Sequence, residues 1–199
     1  MEIIQGVSKQ DKNHVLNQLM ELEQKIWDKS MAASIEQVRN RLTIFSDGLW
    51  RLYDGGYLKA YMFFYPISKM KAVMYNTWED FTNEGYCNNF DPHGEILFGT
   101  TICSDGKKYG NLLFASGVSY MKNQMYVSVE EVWACSRIPS LALKNIAEKD
   151  ITIEEEELYT DGVVKMLLNQ GFKPFSLNKD GYKIDKESLG YSLTMVLKV

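Results

Sequence analysis

Histidine and cysteine are scarce. The 199 residues hold two histidines, His14 and His93, and three cysteines, Cys87, Cys103 and Cys135. An odd cysteine count with no CxxC spacing argues against a disulfide framework or a zinc ribbon. Two histidines are too few for a histidine-rich metal centre, so no metal is expected. Positive charge is also short: 22 basic against 26 acidic side chains, a formal net charge of −4. A surface that coats nucleic acid needs a basic face to neutralise phosphates, so no nucleic-acid partner is expected. A small basic pocket for one phosphorylated ligand stays open. No apolar run approaches the roughly 20 residues that cross a bilayer. The start, Met1-Glu2-Ile3-Ile4-Gln5, lacks a basic region followed by a long apolar stretch, and so carries no secretory pattern. Internal repeats, low-complexity tracts and Pro/Gly/Ser-rich linkers are missing as well. The expectation is a reduced, cytoplasmic chain without a membrane partner, folded as one domain over residues 1–199.

What is present is an ordinary share of hydrophobic residues, 45%, in patterned segments. Glu2 to Val7 reads as a strand. Ser8-Lys-Gln-Asp11 starts a helix, on which Val15, Leu16, Leu19, Met20, Leu22, Ile26 and Trp27 recur at helical spacing to about Lys29. Ser34-Ile-Glu-Gln37 is a capping box, and a second helix runs from it to about Thr43. Leu49–Tyr53, Asp54-Gly55-Gly56 and Tyr57–Tyr65 form a β-hairpin, the glycines supplying positive φ at the turn. Pro66 to His93 reads as a loop with one helical turn. It is either functional, as long loops often are, or an Ω-type loop pinned by Trp78, Phe81, Tyr86 and Phe90. Glu95–Cys103 is a buried strand whose Gly99 marks a bulge or a close backbone approach. A loop Ser104–Gly110, a helix to about Gln124 and a strand Val129–Cys135 follow, the last broken by Ser136-Arg-Ile-Pro-Ser140. Ile153–Tyr159 reads as a short acidic helix, and Asp161–Gln170 as a helix stopped by Gly171. Phe172–Leu177 and Leu189–Val199 close the chain as strands around a turn at Lys179-Asp-Gly181. This order predicts an α/β (α+β) architecture: a mixed, mostly antiparallel twisted sheet of about seven strands with helices on both faces.

The unit that carries chemistry is strand, Ser104–Gly110 loop, helix. A loop running straight into a helix leaves several backbone N–H groups unpaired. The helix dipole adds partial positive charge there, which suits phosphate. Lys107 and Lys108 add charge at the rim, and Gly106 and Gly110 permit a tight path. Glycine-containing turns of this kind also occur with no phosphate. The segment is not a Walker loop, since Gly-Lys-[Ser/Thr] is missing, nor a dinucleotide fingerprint, since GxGxxG is missing.

Read with its neighbours, the chain resembles the GNAT superfamily of acyl-CoA N-acyltransferases. Those proteins carry a loop [Gln/Arg]-x-x-Gly-x-[Gly/Ala] between a strand and a helix. Here it stands as Asp105-Gly106-Lys107-Lys108-Tyr109-Gly110, matching at Gly110 and departing at Asp105 and Lys108. Cys135-Ser-Arg-Ile-Pro139 is similar to a Ser-Arg-Ile-Pro turn in one branch of that superfamily. Asn169-Gln-Gly-Phe172, Asp180-Gly-Tyr182 and Asp185-Lys-Glu-Ser-Leu-Gly-Tyr191 are similar to that branch's C-terminal pattern. The resemblance runs from about Ile3 to Lys198.

The resemblance implies a V-shaped split between the fourth and fifth strands that receives acetyl-CoA, or another acyl-CoA, as co-substrate. Lys107, Lys108, Tyr109, Gly110 and Asn111 would cradle the pyrophosphate. The backbone of Thr100, Thr101 and Ile102 would pair with the pantetheine arm, and an amide there would polarise the thioester carbonyl. Many relatives carry a Tyr or His four residues before the Gly-Phe pair as general acid; this chain has Leu167 there. Tyr182, Glu95 and Cys135 are the catalytic candidates in its place, with Tyr109 and His93 behind them. For each a plain structural role competes: Tyr182 closes a turn, Cys135 fills a strand end, Glu95 is solvated. Arg137 reads as a partner for a phosphate or a carboxylate, or as half of a structural ion pair. Three functions follow. The first moves an acetyl or short acyl group to an amine on a small molecule or peptide. The second serves an acyl-carrier protein, with or without decarboxylation. The third is a non-catalytic, acyl-CoA-binding module that keeps the fold. A homodimer is open in each.

Overall fold

The computed structural model describes residues 1–124, 129–140 and 159–199. Its strands are β1 (Glu2–Gln5), β2 (Leu49–Asp54), β3 (Tyr57–Ile67), β4 (Ile96–Ser104), β5 (Glu131–Arg137), β6 (Lys173–Asn178) and β7 (Ser192–Lys198). Its helices are α1 (Lys12–Ile26), α2 (Ile35–Ile44), α3 (Lys69–Ala72), α4 (Trp78–Thr82), α5 (Lys107–Gln124) and α6 (Gly162–Asn169), with a 3-10 turn at Ser46–Gly48. The strands form one sheet in the order β1-β2-β3-β4-β5-β7-β6. Every pairing is antiparallel except β4 with β5.

Alternation along the strands splits the core into two layers. On one face Leu49, Tyr61, Phe63, Tyr65, Phe98 and Trp133 pack against Val15, Leu16 and Leu19 of α1 and Val38 and Leu42 of α2. On the other, Trp50, Leu52, Met62, Phe64, Val132 and Met195 meet Leu113, Phe114 and Val118 of α5 and Val164 and Leu167 of α6. The mixed sheet with helices on both faces is therefore as the sequence predicts.

The capping box at Ser34 is formed: its hydroxyl accepts from the Gln37 amide, and its own amide donates to Gln37 Oε1. The β2–β3 hairpin closes on Gly55 (φ 61°) and Gly56 (φ 81°), the positive angles a two-residue hairpin turn needs. Several boundaries differ. The first strand ends at Gln5 because Gly6 turns the chain at φ 70°. The fifth strand continues past Cys135 to Arg137, because Cys135, Ser136 and Arg137 keep their pairing with Thr194, Leu193 and Ser192 of β7. The loop after β4 is only Asp105-Gly106. Gly106, at φ 114°, makes the whole turn, and its carbonyl already accepts from the Tyr109 and Gly110 amides. Lys107, Lys108, Tyr109 and Gly110 are thus the first turn of α5 rather than loop. Between Pro66 and His93 two short helices stand where one turn was expected. The second of them, α4, starts at a capping box of Thr77 with Asp80. The acidic Glu154–Glu157 run of the expected Ile153–Tyr159 helix lies outside the described residues.

Candidate active site

Strands β4 and β5 pair only from Ile96–Gly99 to Glu131–Ala134. Beyond that β4 runs on to Ser104 and β5 to Arg137 with no ladder between them, so the sheet opens in a V. Two local features of β4 cause this. Thr100 is the extra residue of a bulge, since Phe63 pairs with Thr101 and Phe64 with Gly99. A bulge bends and twists its strand. At Gly99 a Cβ would lie 2.7 Å from the Phe64 ring, so only glycine lets that ring close over the strand. The irregularity anticipated at Gly99 is present, one residue further on. The closed end of the V is tied by Lys69, whose ammonium lies 3.1 Å from Glu130 and 3.2 Å from Glu131.

One flank of the V is spanned by side chains. The Trp78 indole donates to the Thr100 carbonyl at 2.9 Å, and the Tyr182 hydroxyl donates to the Cys135 carbonyl at 3.0 Å. The two rings stack at 6.2 Å and 27°, and the Trp78 amide donates to the Gly181 carbonyl. One aromatic from each side thus satisfies a carbonyl that the parting strands leave without a ladder partner. Further out, the Arg137 guanidinium lies 5.3 Å from the centre of the Trp27 ring at the end of α1.

Arg137 is also fixed from the other side. Its Nε and Nη2 donate to both Asp185 oxygens at 2.6 and 2.7 Å, and Nη2 reaches Glu187 at 2.8 Å. The Ser188 hydroxyl donates to Asp185 and accepts from the Ile138 amide. The Ser-Arg-Ile-Pro stretch and the Asp185–Tyr191 stretch, separate in sequence, are therefore one hydrogen-bonded lock. Burial pushes the Asp185 carboxyl up, but bonds from Arg137 and Ser188 outweigh it and leave it below the usual range. The Asp185 bond raises the Arg137 pKa further. Of the two readings of Arg137, the structural ion pair is the one formed.

At the mouth of the V lies the start of α5, an 18-residue helix. Among the described residues the Lys107 and Lys108 amides have no backbone partner, and both side chains are exposed. Asp105, the acidic departure at the start of this turn, points elsewhere: it meets Lys25 at 2.7 Å and Lys59 at 3.4 Å. The Lys25 bond in particular holds its carboxyl below the usual range. Gly110 is buried, and a Cβ there would meet Ser104 Oγ at 2.8 Å, so the glycine seats the helix on the end of β4. The Tyr109 hydroxyl donates to Asp54 at 2.9 Å, which pushes its pKa up, and Lys108 lies over its ring. Asn111 is exposed on the same turn.

The three catalytic candidates are placed unequally. Tyr182 stands at the V, half-buried, with the desolvation of its hydroxyl pushing that group well above its usual value. Cys135 lies beside it, its sulfur 3.5 Å from Thr194 Oγ1, and burial pushes the thiol up to about 12. Glu95 is not brought to them. It precedes β4 at the closed end, where its carboxylate accepts from the Lys69 amide and is held below its usual range by that bond. Five residues of strand, roughly 16 Å, separate it from Thr100. His93 is an exposed loop residue, and Leu167 is buried in the core under α6. Sequence reasoning gave Trp27 to the apolar face of the first helix and Trp78 to the loop aromatics, and missed both as parts of the site. The Thr-Trp-Glu-Asp80 pattern held a signal for α4, since Thr and Asp stand at capping-box spacing.

No family model matches the chain, and no curated protein matches it in sequence. Solved structures match it along its whole length. It is similar to the GphF GNAT-like decarboxylase in complex with isobutyryl-CoA: 19% identity, 100% of this chain and 99% of the other, TM-score 0.81. The chain has the GNAT fold. It is also similar to the loading GNATL domain of CurA from Lyngbya majuscula, with 14% identity over 99% of this chain and 96% of that one, TM-score 0.75. The ribosomal-protein-S18-alanine N-acetyltransferase from Escherichia coli superposes less closely, with 11% identity over 100% and 93%, TM-score 0.59. Within the GNAT fold, the β4–β5 split and the start of α5 are the features that an elongated phosphorylated ligand can use together.

Proposed function

We propose that this chain binds an acyl-CoA along the open edge of β4 and passes its acyl group to the thiol of a carrier protein. The observation that carries the reading is that, among the described residues, the β4 edge from Thr101 to Ser104 has no strand partner on the β5 side and leads directly to the Lys107 and Lys108 amides, which have no backbone partner. The phosphates would sit on those amides, with the Lys107 and Lys108 charges at the rim. The amide groups of the pantetheine arm would continue the sheet along Thr101 and Ile102. The acyl carbonyl would reach the vertex near Thr100 and Ala134, where a strand N–H without a ladder partner polarises it.

A thiol acceptor is favoured over an amine because it asks less of the vertex. An ammonium must lose a proton before it attacks. Among the described residues the groups near the vertex are the Tyr182 hydroxyl raised by burial, the Cys135 thiol pushed up to about 12, and the Glu79 carboxylate on α4, whose charge bears on both and whose Oε2 is buried without a hydrogen-bond partner. Tyr182 and Cys135 neither take nor give a proton readily near neutral pH, which leaves Glu79 as the group an amine acceptor would need as its base. A thiol with a pKa of about 8.5 already supplies some thiolate at neutral pH. That thiolate adds to the thioester carbonyl, a new C–S bond forms, and the CoA thiolate of matched basicity departs and takes up a proton from water. No strong base or acid is required. The TM-scores of 0.81 and 0.75 to a decarboxylase and a loading domain, against 0.59 to an N-acetyltransferase, support the same direction.

The test is incubation with acetyl-, isobutyryl- and malonyl-CoA, a panel of holo acyl-carrier proteins and a panel of amines. Mass spectrometry of the phosphopantetheine arm and of the amines reads the outcome. Acyl groups on the arm, with carbon dioxide lost or kept from malonyl, are expected. Acylated amines with a free arm would return the protein to amine acetylation. If acyl-CoA binds but neither the arm nor an amine is acylated, the non-catalytic reading stands.

A further inference from the structure

A second concavity lies away from the split. A cavity of about 630 Å³ opens between the first half of α1 and the β1–β2 edge of the sheet. Arg51 on β2 stands opposite Tyr61 on β3, and Tyr61 opposite Cys103 on β4, so the cavity is two strands, roughly 10 Å, from β4.

Arg51 lines it and is only 6% exposed. Its Nη2 donates to the Gly6 carbonyl at 2.6 Å and its Nη1 to the Tyr53 hydroxyl at 3.2 Å. Tyr53 in turn donates to Gln18 Oε1 at 2.8 Å. Every one of these partners is neutral. Among the described residues no carboxylate lies within ion-pair distance of Arg51, and its buried Nε has no partner at all. A guanidinium cannot shed its proton to escape this. The guanidinium carbon of Arg51 also lies 5.8 Å from the centre of the Tyr53 ring, again a neutral partner. Burying a charge without a counter-ion is costly, and an apolar residue at this sheet edge would carry no such cost. The charge is therefore placed for something that enters the cavity.

The rim carries two carboxylates. Glu2 and Asp11 line the opening beside Met1 and His14, both carboxylates exposed, and that of Asp11 accepts from the Ser8 hydroxyl at 2.6 Å rather than capping α1. A buried cation at the floor and two carboxylates at the mouth form a bipolar wall. A phosphate dianion would meet two repelling carboxylates on its way to Arg51. A molecule with a carboxylate at one end and an ammonium at the other matches both. The cavity also falls within the volume range of small-ligand sites, about 300–1,000 Å³.

We infer that this cavity is a binding site for a small zwitterion of the α-amino-acid class, its carboxylate on Arg51 and its ammonium toward Glu2 and Asp11. The free amide nitrogen of Gln18, whose oxygen is taken by Tyr53, supplies a further donor to the carboxylate. The site is independent of acyl-CoA and of the proposed transfer.

Calorimetric titration of the full chain, without acyl-CoA, tests it with the common amino acids, acetate, ethylamine and inorganic phosphate. At least one amino acid binds saturably in the micromolar to low millimolar range, and acetate, ethylamine and phosphate bind at least about tenfold more weakly. Arg51→Met weakens the amino acid by about tenfold or more while melting stays cooperative; if that variant fails to fold, Glu2→Gln with Asp11→Asn weakens it by a comparable factor. No amino acid bound at about 10 mM, phosphate or acetate bound as tightly, or affinity unchanged in the folded variants would each overturn the inference.

Discussion

Tyr182 and Trp78 show how one atom each can hold a gap in a sheet. Removing the Tyr182 hydroxyl leaves the Cys135 carbonyl without its donor. Tyr182→Phe is expected to cost about 1–3 kcal/mol of stability, read by urea unfolding, because a buried acceptor is stranded. On the thiol-transfer reading, in which the raised hydroxyl is a brace, turnover of the folded variant should fall by less than about tenfold. A larger loss with unchanged stability would make Tyr182 catalytic after all. The cysteines make a second test. Burial raises all three thiols, Cys135 to about 12. Thiolate is therefore sparse at pH 8, and iodoacetamide should label none of them in the native protein and all three in denaturant, by intact mass. Rapid native labelling of Cys135 would return it to the list of nucleophiles. At this scale the sequence made Leu167 legible, as a missing acid, but not Trp78. The contact of Trp78 with Thr100 spans 22 residues, and no local pattern encodes where an indole N–H will find its acceptor.

Between elements, the decisive joint is the lock of β5 to the β6–β7 connection. Arg137→Met would strand Asp185, whose side chain is 2% exposed while that of Arg137 is 21% exposed. The expected loss is about 3 kcal/mol, the lower end for breaking a buried pair because the arginine is partly wet. Its pH dependence has a definite sign. Folding depresses the Asp185 carboxyl, so its contribution is present above the unfolded value near 4 and fades as pH falls through the folded one. The gap between wild type and Arg137→Met in urea midpoints should accordingly shrink between about pH 5 and pH 2. A gap independent of pH would mean the pair is not what holds the joint. Gly99→Val belongs here too. A side chain 2.7 Å from the Phe64 ring must displace it, at about 1–3 kcal/mol. Most elements were legible from periodicity and caps, as at Ser34 and Gly55-Gly56. The start of α5 was not. Reading Lys107–Gly110 as loop followed from its glycines, whereas a single residue, Gly106 at φ 114°, completes the turn.

For the whole molecule, acyl-CoA affinity should appear as stability. A ligand that binds only the folded chain adds about 2.7 kcal/mol at a hundred times its Kd. Isobutyryl-CoA should therefore raise the melting temperature by several degrees. Lys107→Ala with Lys108→Ala should reduce that rise, and added salt should reduce it in the wild type more than in the double variant. No rise in either protein would remove the ligand from the split. The order of motifs along the chain was enough to anticipate the architecture. The strand order was not, because which edges meet is decided by pairings far apart in sequence. One pairing has a further consequence. β4 and β5 are the only described neighbours that run the same way, and four residue pairs are all that joins them. The strands β1–β4 and the strands β5–β7 are thus two panels sharing a short zipper, and a guest laid along the open edge of β4 would act as the stitch that extends it.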